Sequence, residues 1–388
     1  MAKRLPDAPW LERDDLAALV VALGSGNARY VGGAVRDTLL GLPVKDVDVA
    51  TPLVPDEVIA RLKQAGVRTV PTGIEHGTVT AVLPKGPVEI TTLRRDVSTD
   101  GRRATVAFSE NWREDAARRD FTINALYTDP QTREIEDFFG GLDDLAARRV
   151  RFIGDAGERI REDHLRILRY FRFQARFGSQ PPDAESENAC RDLAATLKGL
   201  SRERIGMEML NLLALPDPAP TVARMAELDV LAVILPEADP KALTALVAHE
   251  GGTDHGPDAL RRLAALLPAD PALAKQIASR FRLSGAQKKR LATAAQRGEQ
   301  IDDPRALAYR LGRAEALDQL LIMGADSSSL DGWVIPQLPL KGGEIVARGV
   351  AAGPEVARIL QTVETRWVAE GFPDRNRVEA ILDEELAR

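Results

Sequence analysis

Two different rhythms of apolar and polar residues meet near Gly140-Gly141. Before that point, short alternating runs are interleaved with helical stretches. Residues 10–23 repeat apolar side chains at helical spacing, and residues 34–40 read as a short helix stopped by Gly41 and Pro43. Strands are expected at 29–31, 44–49, 78–83 and 87–92, where β-branched residues stand between turn-forming ones. A further strand-like run covers 122–128 and stops at Asp129-Pro130. Residues 96–113 are polar, contain Gly101 and offer few apolar anchors, so they are expected to form a long mobile loop. The first part of the chain is therefore expected to mix helices with a small sheet.

Beyond Gly141 strand signals nearly vanish, and helical periodicity runs to the C-terminus. It is interrupted at 180–183, 216–220, 236, 239–240, 251–257 and 336–339, which divides the helical remainder into about three bundles. Gly353-Pro354 puts a proline at the first position of a helix over 355–370. No repeat of fixed period and no low-complexity tract is present. The expected division is 1–142, 143–215, 216–300 and 301–388.

Composition narrows the class without naming it. The 388 residues are 44% hydrophobic and 28% charged, enough apolar material for several globular domains. A single cysteine, Cys190, excludes an intramolecular disulfide framework and cysteine-based zinc clusters. The N-terminus lacks the apolar core of a signal peptide, and no run approaches the roughly 18–20 apolar residues of a membrane span. A cytoplasmic protein with no membrane partner is expected. The net charge of −6 argues mildly against nucleic acid, yet residues 148–176 hold nine arginines against four acids. Such local segregation suits either a solvated helix face or a surface that follows phosphates.

Candidate chemistry begins at Val31-Gly32-Gly33-Ala34-Val35-Arg36-Asp37, followed by Lys45-Asp46-Val47-Asp48-Val49. On a strand, Asp46 and Asp48 project from one face and Val47 and Val49 from the other. Their carboxylates then stand ~7 Å apart along the strand and can ligate a hard divalent cation. Gly32 and Gly33 precede a helix, so backbone N–H groups can approach a triphosphate, with Arg36 adding charge. Taken singly, an Asp-x-Asp pair is commonly a solvated strand end and a Gly-Gly a turn. Their proximity makes phosphate chemistry the better reading. The site is neither a Walker loop nor a dinucleotide fingerprint, because the required Gly-Lys-Ser/Thr and third glycine are absent.

Gly32-Gly33-Ala34-Val35-Arg36-Asp37 with Asp46-Val47-Asp48 resembles the signature of polymerase-β-type nucleotidyltransferases. More narrowly, the chain resembles the class II CCA-adding enzymes and the related bacterial poly(A) polymerases. The resemblance continues through Glu114-Asp115-Ala116-Ala117-Arg118-Arg119-Asp120-Phe121-Thr122-Ile123-Asn124-Ala125, Asp137-Phe138-Phe139-Gly140-Gly141 and Arg161-Glu162-Asp163-His164-Leu165-Arg166. It is strong over roughly residues 28–210. The fold it implies is α+β: a nucleotidyltransferase head with a small mixed sheet, then an all-helical neck, body and tail.

The resemblance also implies roles. Asp46 and Asp48 would hold two Mg2+ ions, and Glu89 matches a third catalytic carboxylate on a neighbouring strand. Arg118, Arg119 and Asp120 match a ribose- and triphosphate-binding motif, with Asn124 four residues on from Asp120. Asp163 and Arg166, expected on one helix face at i,i+3, would select C or A from CTP and ATP by hydrogen bonding. Arg169, Arg172 and Arg176 extend that stripe as an expected RNA track, or pair with acids of the head. The loop at 96–113 is a candidate for switching between C and A.

The implied activity is addition of C, C and A to the acceptor end of tRNA, with other RNA tailing and a non-catalytic RNA-binding module as alternatives. Gly73-Ile74-Glu75-His76-Gly77-Thr78-Val79 resembles the CCA enzymes more than the poly(A) polymerases, and His76 is expected to be structural. No phosphatase activity is expected, since Asp254-His255 is the wrong order for a His-Asp pair.

Overall fold

The computed structural model describes residues 3–100, 103–298 and 303–387. They form two compact units, Met1–Leu212 with Pro220–Pro236, and Leu213–Ala219 with Glu237–Arg388.

Among the described residues, the strands all lie in the first unit. They are β1 (Arg29–Val31), β2 (Asp48–Thr51), β3 (Arg68–Gly73), β4 (Thr78–Leu83), β5 (Gly86–Thr92), β6 (Arg94–Asp100), β7 (Arg103–Phe108), β8 (Leu126–Thr128) and β9 (Ile135–Asp137). Seven make one mixed sheet in the order β3-β4-β5-β2-β1-β8-β9, in which only β2 and β5 run parallel. Helices α1 (Asp14–Leu23), α2 (Gly33–Leu39), α3 (Pro55–Gln64), α4 (Trp112–Ala117) and α5 (Gly141–Ala146) accompany the sheet. Val31, Ala50, Leu93, Ala116, Ala125, Tyr127 and Ile153 bury one part of it. The fold class is α+β, as expected.

Three local expectations need correction. Residues 96–113 are not a loop: β6 and β7 pair antiparallel from Arg94↔Phe108 to Asp100↔Arg103, and α4 follows. A two-stranded ribbon satisfies its backbone without a buried face, so polarity did not argue against it. Gly101, which belonged to that expected loop, lies outside the described residues. Next, the strand expected at 44–49 starts only at Asp48. Its partner β1 ends at Val31, where the chain turns at Gly32 (φ 69°), so residues before Asp48 have nothing to pair with on that side. Finally, 122–128 splits into a 3-10 turn at Thr122–Asn124 and the short β8.

Helices α6 (Ala156–Glu162), α7 (Arg166–Phe177), α8 (Ala184–Asp192), α9 (Arg202–Leu213), α10 (Ala219–Glu227) and α11 (Val230–Ile234) follow. On α7 the apolar stripe buries Ile167, Leu168, Tyr170, Phe171, Phe173 and Phe177 while its arginines take the other flank. Phe121 packs against Phe152 and Phe173, each with ring centroids 5.0 Å away. That aromatic cluster sets the residues just before Phe121 beside α7.

The second unit is helical: α12 (Pro240–Glu250), α13 (Ala259–Leu266), α14 (Pro271–Arg280), α15 (Gly285–Ala294), α16 (Pro304–Leu311), α17 (Arg313–Ile322), α18 (Gly342–Ala347), α19 (Pro354–Ala369) and α20 (Arg375–Leu386). Its interior includes a buried ionic cluster. Glu250 accepts from Arg261 and Arg262, each at 2.8 Å, and Arg262 also donates to the carbonyls of Leu213, Leu215 and Pro216. Among the described residues no helix is long and apolar enough to cross a membrane.

Candidate active site

The middle of the sheet brings the acids together. Asp48 opens β2 with Val31 opposite it on β1 and Glu89 opposite it on β5. Neighbouring strands lie about 4.8 Å apart, so Asp48 and Glu89 are adjacent carboxylates on one sheet face. Val47 and Val49 are 4% and 1% exposed, whereas Asp46 and Asp48 are open to solvent, the alternation expected of this segment. Asp48 lies in a concavity, accessible yet surrounded by protein. This burial raises its pKa, Glu89 and Asp46 add to the rise, and Arg119 opposes them.

A carboxylate set of this kind suits a hard divalent cation. Among the described residues, no three acid, histidine or cysteine side chains are gathered tightly enough to hold a metal by themselves. Magnesium needs no such cage, because it takes one or two carboxylates and completes its shell with waters and substrate phosphates. Asp46, Asp48 and Glu89 fit that open mode.

A cavity of about 580 Å³ lies over Asp48, within the usual size range of small-molecule sites. Gly32 and Gly33 form part of its wall. Gly32 has φ 69° and ψ −121°, a conformation that side-chain-bearing residues avoid, so glycine is required by the turn itself. Helix α2 is only seven residues long. Its dipole therefore counts for less than the cations that converge there, Arg36 and Arg119.

Both cations are fixed in place. Arg36 is buried, stacks on Phe177 at 4.2 Å, donates to Asp37 at 2.7 Å and reaches Asn124 Oδ1. Burial pulls its guanidinium below its ordinary pKa, and Asp37 works against that. Arg119 donates Nε–H to the Tyr127 hydroxyl at 3.0 Å and Nη2–H to Asp115 at 3.2 Å. Tyr127 in turn donates to Asp115 at 2.6 Å, which closes a three-membered network. Burial acts to lower the Arg119 pKa, but Tyr127 and Asp115 together hold it above its usual value.

Asp120 links the head to the helices. One oxygen accepts from Asn124 Nδ2 at 2.9 Å and the Phe121 N–H at 2.8 Å. The other accepts from Arg169 Nε at 2.9 Å. Burial alone would raise its pKa; Arg169 and these hydrogen bonds bring it below the usual carboxylate range. Asp120 and Asn124 thus order each other as well as facing the cavity.

The cavity gathers most of the residues singled out in the sequence: Gly32, Gly33, Arg36, Asp48, Arg119, Asp120, Asn124, Asp163, Arg166 and Arg169. Asp46 and Glu89 stand beside Asp48 rather than in the wall. Arg118 is also outside it, and its carbonyl accepts from Arg166 Nη2 at 3.2 Å. Arg172 lies behind the wall, bonded to Glu208 at 2.6 Å.

Two readings of the helical stretch change. Asp163 and Arg166 do not share a continuous helix, because α6 ends at Glu162 and α7 begins at Arg166. Asp163 sits in the break: its side chain accepts the Leu165 N–H at 3.1 Å, a local turn that aspartate favours. It also accepts from Arg204 at 2.7 Å. Nor do the arginines of α7 form an open positive track. Arg169 pairs with Asp120, Arg172 with Glu208 and Arg176 with Asp37, so each faces an acid. Leu165, inside the Arg161–Arg166 motif, also lines the cavity, as do Phe173, Arg204, Met207 and Glu208, which no motif in the sequence marks. The only signal was that Arg204 and Glu208 are four apart on α9 and share a face.

Comparison with known proteins agrees with this geometry. Residues 28–151 match the Poly A polymerase head domain family, and 182–241 match the family described as the probable RNA and SrmB-binding site of polymerase A. The class is thereby defined: a polymerase-β-type nucleotidyltransferase head followed by helices. The mitochondrial CCA tRNA nucleotidyltransferase 1 of Danio rerio is 34% identical over 87% of this chain and 83% of its own length. The Homo sapiens protein of the same name is 32% identical over 89% and 83%. The structure of the Bacillus stearothermophilus CCA-adding enzyme in complex with CTP superposes with a TM-score of 0.73 at 25% identity, covering 98% of this chain and 99% of that one. This chain belongs to the CCA tRNA nucleotidyltransferase family. It is an enzyme of RNA metabolism, which sets aside the non-catalytic alternative.

Proposed function

We propose that the enzyme adds C, C and A from CTP and ATP to the 3′ end of tRNA. The terminal 3′-oxygen bonds to the α-phosphorus as the bond to the β-phosphate oxygen breaks and pyrophosphate leaves. One observation carries this reading: a single cavity holds Asp48, the Gly32-Gly33 turn with Arg36 and Arg119, and the Asp163–Arg166 pair. Asp46 and Asp48 are the proposed holders of two magnesium ions, which when bound would lower the pKa of the 3′-hydroxyl and neutralise the leaving pyrophosphate. Glu89 shares their sheet face as the third catalytic carboxylate. Arg36 and Arg119 would take the triphosphate, for which paired guanidinium donors are suited; Arg118, expected to share that role, stands outside the cavity wall. Asn124 holds Arg36, and Asp120 ties Asn124 to Arg169 of the neck.

Base choice falls to Asp163 and Arg166. Each Asp163 oxygen is engaged once, by Leu165 or Arg204, and keeps lone-pair capacity for an exocyclic amine. Arg166 uses three hydrogen bonds on Glu162 and the carbonyls of Arg159 and Arg118. A guanidinium has five donors, so two are left for a ring nitrogen or carbonyl. Arg169 and Arg172 support this wall through Asp120 and Glu208. The working division is a catalytic head at 1–142, a base-selecting neck at 143–215, a body at 216–300 and a tRNA-binding tail at 301–388.

The test supplies purified protein with tRNA ending at its discriminator base, CTP, ATP and magnesium. Addition of three nucleotides followed by arrest is expected. Addition of A alone, or a long A tail, would replace this reading with partial or poly(A) tailing.

A further inference from the structure

Tyr127 carries a hydroxyl where phenylalanine would pack as well. The residue is 0% exposed on β8, and its ring meets those of Trp112 and Phe138 edge-on, with centroids 5.8 and 6.1 Å away. A buried hydroxyl costs free energy unless it is bonded, so its presence among aromatic rings needs a reason. The reason is Arg119, which lines the cavity over Asp48. The hydroxyl donates to Asp115 Oδ2 at 2.6 Å and accepts from Arg119 Nε at 3.0 Å. Burial raises the Tyr127 pKa, which keeps the proton that the first bond requires.

Asp115, 3% exposed, is equally committed. Its Oδ2 also accepts from Arg119 Nη2 at 3.2 Å, and its Oδ1 accepts the Arg94 N–H at 3.2 Å, where β6 begins. Arg119 is therefore gripped along one side of its guanidinium plane, the side that bears Nε and Nη2. These bonds use two of the five donors of an arginine and leave three, both on Nη1 and one on Nη2. That end faces the glycine turn: a Cβ built on Gly32 would stand 3.5 Å from Arg119 Nη1. Arg119 also opposes the rise in the Asp48 pKa, so its charge reaches that carboxylate too.

We propose that Tyr127, together with Asp115, is a positioning residue for nucleotide binding: the pair fixes the rotation of the Arg119 guanidinium so that its Nη1–Nη2 edge meets the phosphates. This rests on Arg119 taking the triphosphate. Paired guanidinium donors match two phosphate oxygens only when their plane is correctly turned. Two bonds on the Nε–Nη2 side set that plane before a nucleotide enters, so less side-chain freedom is lost on binding. Tyr127 is wholly buried and outside the cavity wall, so it acts only through Arg119.

The test measures dissociation constants for CTP and ATP with the full chain and magnesium, without RNA, for Tyr127→Phe, Arg119→Lys and the two combined. Tyr127→Phe keeps the ring and removes only the hydroxyl. It should weaken CTP and ATP alike by about tenfold, the scale of a hydrogen bond to a charged group. Cytidine, which lacks the phosphates, should compete with CTP as well as it does in wild type. In the Arg119→Lys background the same change should have no further effect, because an ammonium is a point charge with no plane to orient. A packing role predicts weaker cytidine binding and an additive loss in the combined variant. Either result would overturn the inference, as would wild-type affinity for CTP in Tyr127→Phe. The two readings fail separately. If Arg119→Lys leaves CTP affinity unchanged, the triphosphate role of Arg119 falls, and the positioning role with it. If Arg119→Lys weakens CTP but Tyr127→Phe does not, the positioning role alone falls.

Discussion

At the scale of single residues, Asp48 carries the most distinctive environment, a carboxylate in a concavity whose pKa is raised by burial and by Glu89. Asp48→Ala should lower nucleotide incorporation by about a thousandfold, the several kcal/mol of charge stabilisation that a metal site supplies, while tRNA binding stays intact. Loss of both together would point to a folding role instead. Asp163→Ala should act differently. It removes an acceptor that reads the base, so discrimination between CTP and ATP should weaken by tenfold or more, as expected for a hydrogen bond to a charged group. Incorporation ratios under competing nucleotides measure this, and unchanged ratios would refute the assignment. Asp46, Asp48, Gly32 and Arg36 were legible in the sequence because their chemistry sits within seventeen residues. Arg204 and Glu208 were not, because they lie about forty residues beyond Asp163 and Arg166 and meet them only through packing.

At the scale of elements, close approaches decide which sequences the head tolerates. Gly141 opens α5, and a Cβ there would stand 2.3 Å from the Thr122 carbonyl oxygen. Gly141→Ala must push α5 off the turn that carries Asn124, which should cost about 2–3 kcal/mol and lower the Tm by several degrees. An unchanged melting curve would show that the turn yields freely. Asp15 gives the head a pH-dependent tie. It accepts from Arg13 at 3.0 Å and the Lys85 N–H at 2.8 Å, joining α1 to the turn between β4 and β5. Arg13 holds its pKa down at about 2. A carboxylate depressed in the folded state stabilises above its unfolded pKa of about 3.9 and loses that stabilisation as pH falls. Asp15→Asn should therefore be destabilising by about 1.5 kcal/mol near neutrality. The difference from wild type in denaturant midpoints should shrink between pH 4 and about 2. The hairpin of β6 and β7 shows the limit of element prediction: a ribbon paired to itself has no apolar stripe to announce it.

For the whole molecule, the second unit depends on Arg262, only 2% exposed, which binds Glu250 and three carbonyls of residues 213–216. Arg262→Met leaves Glu250 and those carbonyls less satisfied, so this unit should lose about 3–5 kcal/mol of stability. Hydrogen exchange should rise in α12 and α13 and along 213–219, while the sheet of the first unit keeps its protection. Equal loss of protection in both units would mean that they unfold as one.

The sequence by itself determined the α+β class, the change to helices after Gly141, the Asp-x-Asp pair and the glycine turn. Each depends on near neighbours or on periodicity, which the chain carries locally. Only the tertiary structure decided that Asp163 falls between two helices and binds the Leu165 N–H, that the α7 arginines meet Asp120, Glu208 and Asp37, and that Arg204 and Met207 complete the cavity. An ion pair forms wherever folding brings opposite charges together in a desolvated place. No spacing along the chain records in advance which acid each arginine will find.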